Sequence, residues 1–363
     1  MRNFLHFFLT ILFKYIKPVR WLFNIYKYKL MNQLNYITIQ NFSSEKGTEP
    51  QDIQLSYQLF GKKLHTAPIV LINHALTGNS DVAGEKGWWK EIVGQNCLID
   101  TNNFTVIAFN VLGNGYDGTL IENYKDFIAK DIANIFNIVL DELGVKNIFA
   151  LIGGSLGGGI AWEMAFLKPK FIKYLIPIAS DWKASDWIIA HNSIQESILL
   201  HSEKPLQDAR KMAMLFYRTP TSLSKKFRRE KIGNKQQFQV SSWLNHHGKK
   251  LAQRFELKAY LMLNHLLTTI GIEIDEAAFE ELMKPVQATI IQISVNSDLF
   301  FLKSENLKTK EKLDILNVKN QYHEIQSEDG HDAFLIEHQQ ISSFLSPIFQ
   351  LFKQQNKVES YQV

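Results

Sequence analysis

The segment from residue 147 to residue 167 combines a strand-like run, a glycine-rich turn and a helix-like run. The apolar run at 147–152 predicts a buried strand, and the helical spacing of apolar residues at 160–167 predicts a helix. Between them stands the pattern Gly153-Gly-Ser-Leu-Gly157. Small flanking residues permit a sharp turn that lifts the serine side chain clear of both elements. The pattern is typical either of a nucleophile elbow or of an ordinary glycine-rich turn that binds a phosphate.

Strand-like and helix-like segments alternate from residue 67 to residue 180. An amphipathic stretch at 121–143, closed by Gly144, predicts one long helix. We therefore expect an α/β fold with a mostly parallel central sheet and helices on both faces. In such sheets ligands bind at the carboxyl ends of the strands. Near-continuous apolar runs predict buried strands at 67–73, 104–110, 147–152 and 171–179.

The rest of the chain divides around this alternating region. Two stretches of alternating apolar and polar residues, 34–40 and 53–60, predict a hairpin. After residue 180 the alternation stops, and apolar residues recur at helical spacing, which predicts an inserted helical lid. We expect two further strands of the sheet, at 288–295 and 322–326. A closing helix at 333–352 follows them. The predicted units are an N-terminal extension, the first core part, the lid, the second core part and a tail, at 1–30, 31–180, 181–285, 286–352 and 353–363.

The first thirty residues differ from the rest of the chain in charge. They hold six of the 40 Lys and Arg and none of the 36 Asp and Glu, so residues 31–363 hold 34 positive and 36 negative side chains. This near-neutral balance does not indicate a nucleic-acid partner. The N-terminal apolar run is shorter than the roughly 20 residues of a membrane-spanning helix. We expect either an upstream extension that is not translated, with the start at Met31, or a basic segment on a membrane surface.

The single cysteine, Cys97, excludes an internal disulfide bond and a cysteine-based zinc site. No elbow pattern surrounds Cys97, so we expect a buried thiol that fills space and is not a nucleophile. This cysteine usage favours a cytoplasmic protein.

A nucleophilic serine requires a base and a carboxylate that orients the base. In α/β-hydrolases they follow in the order Ser, Asp or Glu, His, with the acid after a late strand and the histidine in a loop after the last one. Asp298 and His331 occupy these two positions. We therefore predict a catalytic triad of Ser155, Asp298 and His331, with Asp181 as the alternative acid.

An oxyanion hole requires two backbone N–H groups that point at the developing charge. We predict that they belong to Leu156, directly after the serine, and to Leu76, in the small-residue loop at 74–78. His74, at the start of that loop, is expected to orient the loop and not to act as the base. The reaction requires no metal ion.

Four motifs in these positions resemble those of the homoserine O-acetyltransferase family of α/β-hydrolases. The resemblance covers about residues 50–350 and implies that Ser155 takes an acetyl group from acetyl-CoA and passes it to the hydroxyl of L-homoserine, a step of methionine biosynthesis. It implies acetyl-CoA as a co-substrate with no other cofactor, and a homodimer formed through the lid. The motifs are His74-Ala-Leu-Thr-Gly78, Gly153-Gly-Ser-Leu-Gly-Gly158, Asn296-Ser-Asp-Leu-Phe300 and Gly330-His-Asp-Ala-Phe334.

The resemblance also implies two substrate contacts. Arg218 looks like the family arginine that pairs with the carboxylate of the acceptor, and Asp332 looks like the acid that receives its ammonium group. The alternatives are an ordinary lid salt bridge for Arg218 and a loop or helix cap for Asp332. The chain departs from the family after Gly113-Asn-Gly115, where residues 116–119 replace a longer loop that lines the way into the site.

This departure leaves several functions open. The same triad would serve a serine hydrolase of small esters or thioesters, or a transferase that uses succinyl-CoA or L-serine. A different class of function is a non-catalytic α/β-hydrolase scaffold that binds a partner. The dependence of product formation on an amine-bearing acceptor would separate transferase from hydrolase.

Overall fold

The computed structural model describes residues 33–360, except 48, 234 and 235, and side chains as far as residue 350. The predicted extension at 1–30 and the predicted start at Met31 lie outside the described residues. Among the described helices, none is both long enough and apolar enough to cross a membrane.

One eight-stranded sheet forms the centre of the molecule. The described strands, of which all but β4 and β5 belong to this sheet, are β1 (Asn35–Phe42), β2 (Gln51–Gly61), β3 (Ile69–Asn73), β4 (Val93–Gly94), β5 (Ile99–Asp100), β6 (Thr105–Phe109), β7 (Ile148–Gly154), β8 (Ile172–Ile178), β9 (Thr289–Val295) and β10 (Asn320–Ile325). The order in the central sheet is β1-β2-β6-β3-β7-β8-β9-β10. Strand β2 is antiparallel to β1 and β6, and the other neighbours are parallel. The mostly parallel sheet of the sequence analysis is therefore confirmed.

Strands β4 and β5 pair with each other in a separate sheet. The sequence analysis missed both, because two residues are too few to produce a recognisable period.

The central strands are buried on both faces. Every residue of β3, β6 and β7 is buried, as their near-continuous apolar sequences require. Because successive side chains point to opposite faces, one strand contributes to two separate cores. In β7, for example, Leu151 belongs to one apolar cluster and Ile152 to the other.

Helices cover both cores of the sheet. Residues of α1 (Ala129–Glu142) and α2 (Leu156–Leu167) pack in the cluster that contains Leu151, as does Leu313 of α9 (Lys303–Ile315). Ile341 and Leu345 of α10 (His338–Ser360) pack in the other cluster. Both faces of the sheet are thus closed by helices, as in a doubly wound fold.

Two predicted helices have different bounds. The stretch at 121–143 is not one helix: a 3-10 helix, Tyr124–Asp126, precedes α1, which starts anew because the Asp131 carboxylate accepts the Ile128 N–H at 2.8 Å. The closing helix α10 starts at His338 and not at 333, because Gly330–Leu335 forms a separate 3-10 helix. It continues to Ser360, beyond the predicted end at 352.

In the described part of the chain, six helices separate β8 from β9, within the segment predicted as the lid. Side chains cap the starts of three of these helices: Ser185 Oγ accepts the Ile188 N–H, Thr219 Oγ1 accepts the Ser222 N–H at 3.0 Å, and Asp275 Oδ1 accepts the Ala278 N–H at 2.8 Å. The six helices are α3 (Asp186–His201), α4 (Pro205–Tyr217), α5 (Pro220–Phe227), α6 (Gln239–Ala252), α7 (Leu257–Thr268) and α8 (Glu276–Met283).

The lid contacts the loops at the carboxyl edge of the sheet. Trp187 Nε1, on α3, donates to the Leu299 carbonyl at 2.7 Å, after β9. Thr219 Oγ1, between α4 and α5, donates to the Glu328 carbonyl at 2.5 Å, after β10. The lid therefore lies over the edge at which parallel sheets bind ligands.

Candidate active site

Ser155 occupies a sharp turn between β7 and α2. Its φ of 53° and ψ of −123° lie in a region that costs a non-glycine residue about 1–3 kcal/mol. The turn is tight: a Cβ on Gly153 would lie 2.1 Å from the Gly157 carbonyl oxygen, and one on Gly157 would lie 2.3 Å from that of Asn73. The Ser155 N–H donates to the Ile178 carbonyl at 2.9 Å, which anchors the turn to β8. The geometry is that of the predicted strand, elbow and helix.

Ser155, His331 and Asp298 form one hydrogen-bonded chain. Ser155 Oγ lies 2.9 Å from His331 Nε2, and His331 Nδ1 lies 2.7 Å from Asp298 Oδ2. Asp298 Oδ1 also accepts the N–H groups of Phe300 and Phe301, at 2.7 and 3.0 Å. Since a carboxylate only accepts, it holds the proton on Nδ1 and leaves Nε2 to accept the serine hydroxyl proton. All three side chains are buried.

Two neighbouring strands bring the acid and the base together. Asp298 lies in the turn after β9, and His331 lies in the 3-10 helix after β10, which is parallel to β9. The two loops are tied to each other, because Ser297 Oγ accepts the Gly330 N–H at 3.1 Å and donates to the Ser327 carbonyl at 2.6 Å. Asp298 and His331 are 33 residues apart in the sequence, and their side chains are thus in direct contact.

Four aromatic rings surround the His331 imidazole. Their centroids lie 5.1–5.8 Å from that of His331. They restrict the orientation of the imidazole and keep water from its faces. The rings belong to Tyr217, Phe300, Phe301 and Phe334.

Asp181, the alternative acid, is engaged elsewhere. Its carboxylate accepts from the Trp182 N–H at 2.8 Å, from Thr309 Oγ1 at 2.8 Å and from Asn306 Nδ2 at 3.0 Å. Burial raises the pKa of Asp181 to about 6, although the hydrogen bonds from these donors lower it. The carboxylate that contacts His331 is therefore that of Asp298.

Two backbone N–H groups near Ser155 are free to donate. Leu156 is the first residue of α2, and Leu76 lies within the turn closed by the Gly78 N–H and the Ala75 carbonyl at 2.8 Å. Neither the Leu76 nor the Leu156 N–H has an acceptor within the described part of the chain. Free N–H groups in these two positions suit an oxyanion.

His74 orients the loop that contains Leu76. Its Nε2 accepts the Val111 N–H at 3.0 Å, so the proton resides on Nδ1, which donates to the Ala75 carbonyl at 2.7 Å. Burial lowers the pKa of His74 to about 4, and the imidazole is neutral at pH 7. Both ring nitrogens are used, which fits the structural role expected from the sequence.

Arg218 and Asp332 contact each other beside His331. Arg218 Nε donates to Asp332 Oδ2 at 3.0 Å, and Arg218 Nη1 donates to Asp329. Burial raises the pKa of Asp332, although the charges of Arg210 and Arg218 lower it. The lid salt bridge considered as the alternative for Arg218 therefore exists. The sequence analysis did not predict the pairing of Arg218 with Asp329, for which the position of Asp329 two residues before His331 is the only signal.

Cys97 is half-buried, whereas the sequence analysis predicted a buried thiol. Its Sγ donates weakly to the Lys90 carbonyl at 3.6 Å, and burial, followed by the charges of Glu91 and Asp100, raises its pKa. A thiol with a raised pKa is protonated at pH 7 and is not an activated nucleophile.

The segment directly before residues 116–119, Gly113-Asn-Gly115, packs against α7. A Cβ on Gly113 would lie 3.3 Å from Met262 of α7, and one on Gly115 would lie 3.5 Å from the Ala259 side chain. Asn114 Nδ2 lies 3.2 Å from His74 Nε2, so this segment also contacts the loop at 74–78.

Comparisons with known proteins extend this description. A family model described as the alpha/beta hydrolase fold matches residues 68–242. The homoserine O-acetyltransferase of Symbiobacterium thermophilum is 31% identical over 336 residues, which cover 81% of this chain and 88% of that protein. The homoserine O-acetyltransferase of Moorella thermoacetica is 28% identical over 344 residues, covering 84% and 92%.

Solved structures of two kinds of enzyme share the fold. The crystal structure of homoserine O-acetyltransferase from Bacillus anthracis has a TM-score of 0.78 at 19% identity, covering 87% of this chain and 97% of that one. The crystal structure of esterase E22 has a TM-score of 0.77 at 16% identity, covering 87% and 99%. The α/β-hydrolase fold predicted from the sequence is therefore confirmed. With a relative at 31% identity over most of both sequences, the chain belongs to the homoserine O-acetyltransferase family.

Proposed function

We propose that this protein is an acyltransferase that moves an acetyl group from acetyl-CoA to the hydroxyl of L-homoserine through an acyl-enzyme at Ser155. The observation that carries the proposal is the chain of hydrogen bonds from Ser155 through His331 to Asp298, in a member of this family. The product would be O-acetyl-L-homoserine, and the step would serve methionine biosynthesis.

In the first half-reaction, His331 Nε2 takes the proton of Ser155 Oγ, and the oxygen attacks the thioester carbonyl. The Asp298 carboxylate stabilises the imidazolium that forms. The N–H groups of Leu76 and Leu156 would donate to the carbonyl oxygen as it becomes negative, and each such donor is worth about 10²–10³ in rate. The thiol of CoA then leaves with the proton from His331.

In the second half-reaction, the acceptor hydroxyl gives its proton to His331 Nε2 and attacks the acyl carbon. The bond to Ser155 breaks, and the serine oxygen recovers the proton from His331. Arg218 would bind the acceptor's carboxylate through N–H groups that its bonds to Asp332 and Asp329 leave free. Asp332 would bind the ammonium group, whose charge favours the ionised carboxylate.

Transfer requires that water does not reach the acyl-enzyme first. The aromatic rings around His331 and the lid contacts at Trp187 and Thr219 support such shielding. The observation that favours a hydrolase as the second candidate is the short loop at 116–119, which leaves less chain at the entrance than the family's longer loop. Succinyl-CoA as donor and L-serine as acceptor are variants of the same chemistry.

We further propose that the protein forms a homodimer through the lid. Three apolar side chains of α3 and α4 are at least half exposed, Ile194 at 52%, Leu200 at 55% and Leu215 at 50%. Exposed apolar groups on two helices that contact each other favour burial against a second copy. Light scattering after gel filtration should give the dimer mass for the wild type and the monomer mass for Ile194→Glu/Leu200→Glu. A dimer that survives this change would contradict the lid interface.

The experiment that tests the function follows the free thiol of CoA. Full-length protein would receive acetyl-CoA or succinyl-CoA, with water alone, L-homoserine or L-serine as acceptor, and Ser155→Ala as control. We expect rapid thiol release only with acetyl-CoA and L-homoserine, together with O-acetylhomoserine by mass spectrometry. Release that is independent of the acceptor would identify a hydrolase instead.

A further inference from the structure

The lid concentrates the positive charge of the chain. Residues 204–254 contain 13 of the 40 Lys and Arg but only two of the 36 Asp and Glu, so the rest of the chain holds 27 positive and 34 negative side chains. The near-neutral balance noted in the sequence analysis averages over this difference and conceals it. A local excess of this size creates a positive potential that attracts anions.

Some of these cations are already neutralised, and others are not. Lys211, Arg218 and Lys225 pair with carboxylates at Asp208, Asp329 and Glu328. Several others form no ion pair among the described residues, and we call four of these the lid cation cluster. They are Arg210, Lys226, Lys250 and Arg254.

Three members of the lid cation cluster act on His247, and one of them, Arg210, also acts on Arg254. Burial first, and then the charges of Arg210, His246, Lys250 and Lys226, lower the pKa of His247, on α6, to about 4. The pKa of Arg254 is lowered by burial first and by the charge of Arg210 second. Like charges close together destabilise a fold, and a bound anion lowers that cost.

The lid cation cluster extends from the active site to the surface. The Arg210 guanidinium lies 5.4 Å from the Tyr217 ring, which packs against His331 at 5.5 Å between centroids. Arg254 Nη1 donates at 3.0 Å to the carbonyl of Thr77, next to Leu76 in the oxyanion loop.

Lys226 and Lys250 form the outer part of the cluster. Both are exposed, on α5 and α6. The Lys226 Nζ lies 5.2 Å from the ring centroid of Trp243, which in turn contacts His247 at 4.4 Å. The four cations are therefore spread from the interior of the lid to its surface.

We propose that the lid cation cluster binds the 3′-phosphate and the diphosphate of the CoA part of the acyl donor, an inference that rests on the proposed function. An acceptor amino acid brings one carboxylate, for which Arg218 is available. CoA brings several phosphate charges at the far end of its pantetheine arm. When its thioester is at Ser155, those phosphates must lie towards the surface, where Lys226 and Lys250 are exposed.

The test compares donors with and without phosphates. Wild type, Arg254→Gln and the double variant Lys226→Gln/Lys250→Gln would be assayed with acetyl-CoA and with S-acetylpantetheine. Lys211→Gln is the matched control, because Lys211 is a lid cation with a carboxylate partner. Arg210 is left unchanged, because its charge also acts on Asp332.

We expect the KM for acetyl-CoA to rise about tenfold in Arg254→Gln and about three- to tenfold in the double variant, because these groups contact charged oxygens directly or across water. In the double variant, the kcat/KM for S-acetylpantetheine and the KM for L-homoserine should stay within about twofold of wild type. Arg254→Gln also loses the bond to the Thr77 carbonyl, so its loss of kcat/KM with acetyl-CoA should exceed its loss with S-acetylpantetheine about tenfold. Added salt should lower kcat/KM for acetyl-CoA only. Equal losses with both donors, an increase in the homoserine KM alone, or values equal to those of Lys211→Gln would overturn the proposal.

A binding experiment separates this inference from the proposed function. CoA and pantetheine would be titrated calorimetrically into Ser155→Ala and into Ser155→Ala/Lys226→Gln/Lys250→Gln. If no acyl transfer occurs but CoA binds more tightly than pantetheine, and the lysine changes remove that difference, the cation cluster is supported and the transferase is not. If CoA and pantetheine bind equally in Ser155→Ala, the cluster proposal fails even for an active transferase.

Discussion

Polar side chains of the core are hydrogen-bonded to one another, whereas several cations of the lid form no ion pair. In the core, Ser155, His331 and Asp298 are buried, and their hydrogen bonds to each other are formed without any ligand. In the lid, Arg210 and Arg254 form no ion pair with a described carboxylate, and the charge of Arg210 lowers the pKa of Arg254 after burial does. The difference fits the two proposals above, in which the core is preorganised for the reaction and the lid binds the charges of a substrate.

The largest effect is expected at the centre of the core. Ser155→Ala should lower kcat by at least about 10⁴-fold, because no other group in the chain of hydrogen bonds can form the acyl-enzyme. Its measurement is thiol release from acetyl-CoA with L-homoserine, with unfolding of the variant by urea as a control for folding. Turnover within tenfold of wild type would show that the core does not react through this serine.

The next effect distinguishes two buried carboxylates of the core. Asp298→Asn should lower kcat roughly 10⁴-fold, because an amide at this position favours the wrong tautomer of His331. Asp181→Asn is the matched change, and we expect it to lower kcat less than about tenfold, since Asp181 bonds to Trp182, Thr309 and Asn306. Steady-state kinetics of both variants would decide, and a larger loss for Asp181→Asn would reverse the assignment.

A smaller effect is expected where lid and core meet. Arg218→Ala should raise the KM for L-homoserine about 10–100-fold and that for acetyl-CoA less than threefold, because a charge-assisted bond to a carboxylate is worth about 1.5–3 kcal/mol. Arg218→Lys should restore only part of the loss, since a lysine lacks the planar fork. Circular dichroism would check folding, because the change leaves Asp329 and Asp332 without their partner. Equal changes in both KM values would contradict the role.

The smallest effect on turnover is expected at Glu163, which joins the two regions through its bond to the Gly271 N–H at 2.9 Å. Burial raises its pKa from 4.5 to about 7, so between these pH values the unfolded chain releases a proton that the folded chain retains. The free energy of unfolding should therefore fall as the pH rises through this window, by up to about 3 kcal/mol from this group, and level off above it.

Glu163→Gln keeps the oxygen that accepts the Gly271 N–H and removes the titration. Urea unfolding of wild type and variant from pH 4 to pH 8 would measure the difference, in which the contribution of Asp181 cancels. The variant should gain stability relative to wild type as the pH rises, with kcat within about twofold. Parallel pH curves would contradict the retained proton.

Features that depend on neighbours along the chain were predictable from the sequence. The elbow around Ser155 requires small residues at specific positions, and a central strand such as β7 shows its burial as a continuous apolar run. The positions of Asp298 and His331 followed from strand order, because the carboxyl ends of adjacent parallel strands meet at one edge. The starts of α1 and α10 were misplaced, since the Asp131 cap and the separate 3-10 helix before His338 do not change the apolar pattern.

Contacts between distant segments were decided only by the tertiary structure. The sequence offered both Asp181 and Asp298 as the acid, and the packing of β9 against β10 determined which one reaches His331. Pairing Arg218 with Asp329 required the lid to fold over the loop after β10. The lid cation cluster was invisible to a net charge, because repulsion and attraction depend on distances in space and not on separation along the chain.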